Sequence, residues 1–365
     1  MVTSKAQHMV ESILMPILRP FLAALFGLAL GVGVTYFVGE NPWHVLKVMF
    51  EGAFGSTYAL GMTIFYTTPL ILTGLAVAIP FKAGLFNIGA EGQLTMGALG
   101  ATVVGLALPE LPAFAAIPVG VAAAFLSGAL WALLPAWLKV RRGSHEVITT
   151  IMMNFIAAGL ASWIVLDFIV TKDSQSPESA ALSPAYRLAP FGIFDGASAG
   201  PALVMALGMA AILAWVLHRT TFGFGLRTVG ASPDTAAMSG MNGARLQMLA
   251  LMFGGGLAGL VGVAEVLGHA GRFRIGFSAD YGFIGIPVAL LARCHPIGLV
   301  FSALLFGGLQ KGTGELDLET ENVTRELAQL IQALVVLAVA SEGVFSLWRK
   351  RRVQKVAVAG KGQSK

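Results

Sequence analysis

The stretch Phe81-Lys82-Ala83-Gly84-Leu85-Phe86-Asn87-Ile88-Gly89-Ala90-Glu91-Gly92-Gln93 holds the most chemically informative residues of the chain. Asn87, Glu91 and Gln93 stand beside glycines at the entry to an apolar run. A carboxylate in apolar surroundings is costly, so it ordinarily faces a polar cavity or a partner group. Asn87 and Glu91 are four apart and share a face if the segment is helical. Two uses fit: lining a path for a polar solute, or satisfying broken backbone at a re-entrant turn. Asn154, on one face with Thr150, and Glu265, at the end of a later apolar run, are candidates of the same kind. For these two the competing use is hydrogen bonding between helices. Asn87, Glu91, Gln93, Asn154 and Glu265 are therefore the candidate substrate-path residues.

Constellations for covalent chemistry are absent. The GxxxxGK[ST] phosphate loop is missing, and Gly360-Lys361 has neither the upstream glycine nor the following Ser or Thr. If transport is driven by ATP, the motor is expected on another polypeptide. Gly254, Gly256 and Gly259 match GxGxxG, but they lie inside an apolar run with no strand before them, which reads as helix packing. Gly196-Ala197-Ser198-Ala199-Gly200 matches GxSxG in a loop beside an apolar helix, not at a strand-to-helix elbow. His145-Glu146 lacks the second histidine of a zinc site. The single Cys294 allows no disulfide within the chain. The expectation is a non-enzyme, with no catalytic residue, no metal ligand set and no cofactor of its own.

The elements that position these residues follow from the solvent. Hydrophobic residues make up 56% of the 365 residues and charged residues 12%. A soluble domain carries roughly 25% charge. There is too little charge to cover a water-facing surface, so lipid is expected to take its place. The 45 glycines agree, since small residues let membrane helices approach closely. The net charge of +5 does not indicate nucleic acid, because much of it sits in the tail Arg349, Lys350, Arg351, Arg352, Lys355, Lys361 and Lys365, just after an apolar run. Such a tail is a membrane flank.

The expected fold class is all-α, a polytopic membrane protein with about ten crossings, some short or broken. They fall at 18–38, 58–80, 86–108, 113–137, 147–170, 199–217, 246–266, 282–293, 296–311 and 326–348. Lys5 and Arg19 precede the long apolar stretch from Pro20 to Val38, with no small-residue cleavage site before the next segment, so it reads as a retained first span. The eighth and ninth are too short alone and read as half-helices packed inside the protein. Residues 41–55, with Trp43, read as an interfacial helix. With both termini inside, Lys82, Lys139, Arg141, Arg142, Arg219, Arg227, Arg245 and Arg293 fall on cytoplasmic flanks, and Glu315, Asp317, Glu319 and Glu321 outside. Residues 171–198 form the larger outer loop. Residues 1–365 read as one membrane domain with a short flank and a basic tail.

The larger inner loop, 218–245, carries Arg219, Arg227, Asp234 and Arg245 among small residues. Ala236-Ala237-Met238 suits a short helix, with Ser232 as its N-cap and Pro233 in its first turn. Such a helix suits docking into a cleft on a motor protein. An ordinary solvated loop is the alternative.

The run GLFNIGAEGQ resembles the hallmark of permease subunits from bacterial ABC importers of nucleosides and simple sugars, which are related to the branched-chain amino-acid permeases. Three further stretches agree in the same order. Glu146 to Asn154 resembles the family's fifth-helix entry. Residues 222–241, with Gly225-Leu226-Arg227, Val229-Gly230, Pro233, Ala236-Ala237 and Gly240, resemble its cytoplasmic coupling loop. Asp280 to Leu291, followed by His295-Pro296-Ile297-Gly298, resembles its penultimate region. The resemblance spans about 55–345. It departs at Ala292-Arg293-Cys294, where the family pattern has a glycine after Leu291.

The resemblance implies an importer permease of the bacterial inner membrane, multi-pass, forming the pathway for nucleosides or simple sugars. It implies a second permease subunit, identical or paralogous, two ATP-binding subunits that use the ATP, and an extracytoplasmic substrate-binding protein. Membrane lipid is the other partner, and nucleic acid is not one. It assigns coupling to Arg227, Gly230, Pro233, Asp234, Ala237 and Gly240. The alternative reading is a secondary transporter of a small polar solute, driven by an ion gradient, which would also show broken helices and intramembrane carboxylates.

Overall fold

This computed structural model describes residues 15–171 and 177–341. Lys5, the side chain of Arg19 and the basic tail lie outside the described residues. Among the described residues the chain is helical, with isolated bridges and no strand. The helices are α1 Met15–Val34, α2 Pro42–Phe54, α3 Thr57–Lys82, α4 Ala90–Ala107 and α5 Ala113–Arg142. They continue with α6 Glu146–Ile164, α7 Ala202–Arg219, α8 Thr221–Ala231, α9 Pro233–Met238 and α10 Gly243–Gly259. The last are α11 Tyr281–Leu291, α12 Pro296–Gly314, α13 Leu316–Glu319 and α14, residues 325–341. Every expected crossing contains a helix. The ninth, α12, is longer than expected: it runs 19 residues, about 28 Å of rise. The eighth, α11 with 11 residues, stays too short to cross by itself.

The described residues form two compact units. One holds residues up to Gly52, Leu290–Ala292 and the chain from Gly312 onward. Within it α1 and α14 meet through glycine: a Cβ on Gly27 would lie 2.7 Å from the Cα of Val335. Glu40 ties α1's end to the 320s, accepting from the backbone N–H of Glu321 at 3.0 Å and Asn322 at 3.1 Å.

The other unit, Ala53–Ala289 with Arg293–Lys311, contains every residue of the candidate site and of the inner loop. Its centre is α3 and α10. The candidate spans Thr57–Lys82 and Gly243–Ala270 are each 83% buried, against 28% for Ala113–Arg142, Glu146–Ile169 and Ala202–Arg219. Burial follows side-chain size. Gly97, Gly128, Gly255 and Gly259 bring α4, α5 and α10 to backbone contact, with a Cβ on Gly97 falling 2.2 Å from the Cα of Gly259. Of the GxGxxG residues, Gly254 packs against Ala76 of α3, and Gly256 and Gly259 pack against Phe125 and Ala124 of α5, so the helix-packing reading is correct. Large side chains such as Phe155, Trp163 and Trp215 point outward from the peripheral helices, as lipid contact requires.

The outer loop is tied down on its described part. Glu178 pairs with Arg272 and, at 3.4 Å, with Arg274. Tyr186, fully buried, donates its hydroxyl to the carbonyl of Leu108 at 3.1 Å. Ser198 of the GxSxG run meets His269 Nδ1 at 2.8 Å, which pins the loop to the end of the α10 span.

Candidate functional site

The site begins where α3 ends. The chain turns at Gly84, whose φ of +76° lies in the left-handed region that favours glycine. It then runs back along α3: the Asn87 side chain donates to the carbonyl of Ala76 at 3.3 Å, six residues before Lys82. Six residues correspond to roughly 9 Å of helix rise. Helix α4 therefore starts at Ala90, deep within the unit, not at its edge.

Non-helical backbone at this depth needs partners, and the polar side chains supply them. Asn87 and Gln93 bond each other reciprocally at 2.9 and 3.1 Å, and Asn87 Oδ1 also accepts from Gly89 N–H at 3.0 Å. Asn154 accepts from Gly92 N–H at 2.8 Å and donates to the carbonyl of Ile88 at 2.9 Å. Thr150 accepts from Ile88 N–H at 3.4 Å. Asn87 and Gln93 are fully enclosed. Their geometry is that of the re-entrant turn weighed from the sequence.

A second break faces the first. Residues 271–280 lead into α11 without helical structure, and Asp280 adopts φ +57°. Glu91 Oε2 accepts from Gly282 N–H at 2.8 Å, capping the start of α11. These first amides have no partner within their own helix. Glu265, 6% exposed, hydrogen-bonds the Tyr281 side chain one residue earlier. Its other oxygen, Oε1, is buried without a partner. Two carboxylates from two helices thus hold adjacent residues at the tip of the half-helix. At the far end of α11, Arg293 and Cys294 take φ +51° and +54°. These are left-handed positions that strain residues other than glycine, and Ala292, where the family pattern has its glycine, is not one of them. Lys82 Nζ reaches the Arg293 carbonyl at 3.4 Å, so this end returns to the end of α3.

A cavity of about 220 Å³ lies beside the junction. Glu91 and Asn154 border it, together with Thr95, Ser162, Phe277 and Ser278. Asn87, Gln93 and Glu265 do not line it. Sequence reasoning missed Thr95, one turn on from Glu91 and so findable by spacing. It also missed Ser278 and Phe277, which sit in an irregular segment with no periodicity to read.

Residues 218–245 form two short helices, α8 and α9. The expected α9 is present: Ser232 Oγ accepts from Thr235 N–H at 3.3 Å, and Pro233 opens the first turn. Gly240, at φ +73°, closes it, with its N–H donating to Ala237 O at 3.0 Å. Helix α8 was not expected; Thr220 caps it by accepting from Gly223 N–H at 3.1 Å. Arg227, Gly230, Pro233, Asp234, Ala237 and Gly240 are all exposed, and Met238 is 89% exposed. Ala236, beneath them, is buried. The helix pair is seated on the end of α3: a Cβ on Gly230 would fall 2.2 Å from the carbonyl oxygen of Lys82. Gln247 Nε2 adds a bond to Ala83 O at 3.3 Å. The exposed tip is therefore joined through Lys82 and Ala83 to the turn that leads to Glu91.

Ser232→Ala is expected to destabilise α9 by about 1 kcal/mol. Faster amide hydrogen exchange across 233–239, with the α10 amides unchanged, is the outcome to look for.

The chain matches the model of the family described as "Branched-chain amino acid transport system / permease component" over residues 59–340. It is 36% identical to a guanosine ABC transporter permease protein of Bacillus subtilis, covering 89% of this chain and 93% of that protein. It is 35% identical to a glucose ABC transporter permease protein of Haloferax volcanii, covering 90% and 88%. A nucleoside ABC transporter permease protein of Lactococcus lactis subsp. cremoris is 32% identical, covering 89% and 90%.

Proposed function

The chain belongs to the family of branched-chain amino acid transport system permease components, and from that premise we propose that it forms half of the translocation pathway of an ATP-driven importer for nucleosides or simple sugars. It is a transport subunit, not an enzyme. The observation that carries the reading is the junction of two helix breaks at Glu91 and Gly282, joined to an exposed loop tip by Gly84, Gly230 and Lys82. A half-helix held by side chains at one end can change position more readily than a continuous span.

In this proposal the junction borders the solute path, and Glu91 and Asn154 face the solute. Asn87, Gln93 and Glu265 shape the junction. Helices α8 and α9, through Arg227, Gly230, Pro233, Asp234, Ala237 and Gly240, dock on an ATP-binding subunit. Two such subunits use ATP on the cytoplasmic side, and a second permease, identical or paralogous, completes the path. An extracytoplasmic binding protein delivers the solute. The chain acts as one membrane domain in the bacterial cytoplasmic membrane, surrounded by lipid, with both termini inside.

The alternative, an ion-gradient carrier, draws on the intramembrane carboxylates Glu91 and Glu265. Uptake of radiolabelled nucleosides and sugars by cells with and without this chain separates the two. The importer reading expects uptake that needs the chain and stops when the partner ATPase is inactivated. Uptake that survives ATPase loss and collapses with an uncoupler would establish the carrier instead.

A further inference from the structure

The hydroxyl and carboxylate groups around the cavity face it as acceptors, and Asn154, whose Oδ1 and one amide hydrogen are engaged by Gly92 and Ile88, adds a single N–H donor. Thr95 donates its hydroxyl hydrogen to the carbonyl of Glu91 at 2.8 Å, and Ser162 donates to the carbonyl of Ala158 at 2.8 Å. The Ser278 hydroxyl hydrogen-bonds the Glu91 carboxylate. These hydrogens are engaged within the protein, so the hydroxyls offer lone pairs to an occupant. The Glu91 carboxylate accepts from Gly282 and Ser278, and it has about four lone-pair sites, so acceptor capacity remains.

No Lys, Arg or His borders the cavity among the described residues. Arg272 and Arg274 stand on the adjoining segment, and both are paired with Glu178. Asp280 lies close enough to Glu91 to add negative potential. The remaining wall is apolar, with Phe273 and Phe277 edge to face at 5.4 Å. The volume corresponds to roughly seven liquid waters, room for one small solute.

We propose that this cavity is a selectivity site that admits uncharged solutes rich in hydrogen-bond donors and excludes anions. The proposal rests on the translocation-path reading above and specifies it further. A sugar ring presents several hydroxyl donors to the Glu91, Thr95 and Ser162 oxygens, and its apolar face, or a planar base, can lie on the phenyl rings. A phosphate or carboxylate brings a further negative charge beside Glu91 and Asp280, with no cation bordering the cavity among the described residues and the nearest, Arg272 and Arg274, drawn to Glu178. Nucleosides and free sugars fit these rules. Nucleotides, sugar phosphates and amino acids with their carboxylates do not.

The test reads the cavity itself, not the external receptor that selects solutes upstream. Ser162→Cys is prepared in the assembled transporter in nanodiscs, with Ala158→Cys as a second position. The native Cys294 is 1% exposed and gives little background. Labelling rates for a cationic and an anionic methanethiosulfonate reagent of similar size are compared after each is divided by the same reagent's rate with free 2-mercaptoethanol. The cationic reagent is expected to react about tenfold faster. Adding Glu91→Gln should bring the ratio to within about twofold. Equal rates, a faster anionic reagent, a ratio unmoved by Glu91→Gln, or no labelling at either position would overturn the proposal. Protection by guanosine or glucose supports both readings. Charge preference without protection by any nucleoside or sugar removes the path reading and leaves the cavity's anion exclusion standing.

Discussion

Replacing Glu91 with leucine is expected to lower uptake to the level of cells lacking the chain, while the protein still inserts and assembles. The leucine leaves the buried Gly282 N–H without its acceptor, and an orphaned buried amide costs about 1–3 kcal/mol. It also removes the acceptor of Ser278, on the segment that leads into α11. Both losses fall on the start of one half-helix, so they misplace that helix instead of unfolding the unit. Glu91→Gln keeps a carbonyl oxygen for Gly282 and is expected to retain part of the uptake. Radiolabelled solute uptake, normalised to the amount of permease in purified membranes, checks both variants. Normal uptake by Glu91→Leu would take Glu91 off the list of functional residues.

Gly259→Val is expected to have the largest effect on stability. A Cβ at Gly259 would lie 2.3 Å from the carbonyl oxygen of Ala124, and a Cβ at Gly97 would meet Gly259's own Cα at 2.2 Å. The obstructing atoms are backbone on two neighbouring helices, so no side chain can swing aside. Overpacking in a close-packed interior costs about 1–3 kcal/mol, more where backbone must move. The variant should lose its thermal transition in detergent, or melt far below the native protein. Gly208→Ala is the control. Nothing lies within 4 Å of a Cβ there, and alanine favours helix over glycine by about 1 kcal/mol. Equal melting of Gly259→Val and the native protein would refute the close-packing account of α10.

The same residues show how far sequence reading reached. The Ser232 cap was legible because a cap is a local event: an acceptor, a proline and three small residues suffice. The helix following Thr220 was not, because Gly223 and Gly225 weaken the helical pattern there. Gly223 is in fact needed for packing, since a Cβ there would strike the Val216 carbonyl oxygen at 2.2 Å. The ninth crossing read as too short because Gln310, Lys311 and Thr313 end the apolar run, while the helix continues through them to Gly314. The loop around Tyr186 read only as the larger outer connection, and the partner of its buried hydroxyl is a carbonyl 78 residues away.

Composition and hydropathy by themselves determined that this is an all-α, multi-pass membrane protein and roughly where its apolar helices lie. Those properties depend on the free energy of placing residues in lipid, which sums along the chain and needs no knowledge of neighbours. The motif around Asn87 and Glu91 marked the right place. Only the tertiary structure divided its roles, turning Asn87 and Gln93 to the backbone of one break and Glu91 to the start of another helix. Asn87 and Gln93 bond each other, and Asn87 bonds the nearby Ala76 and Gly89, but the partners that fix the rest lie far off in sequence: Asn154 is 62 residues from Gly92, and Gly282 is 191 from Glu91. A direction in space, unlike a preference for lipid, cannot be read from a residue and its neighbours in sequence.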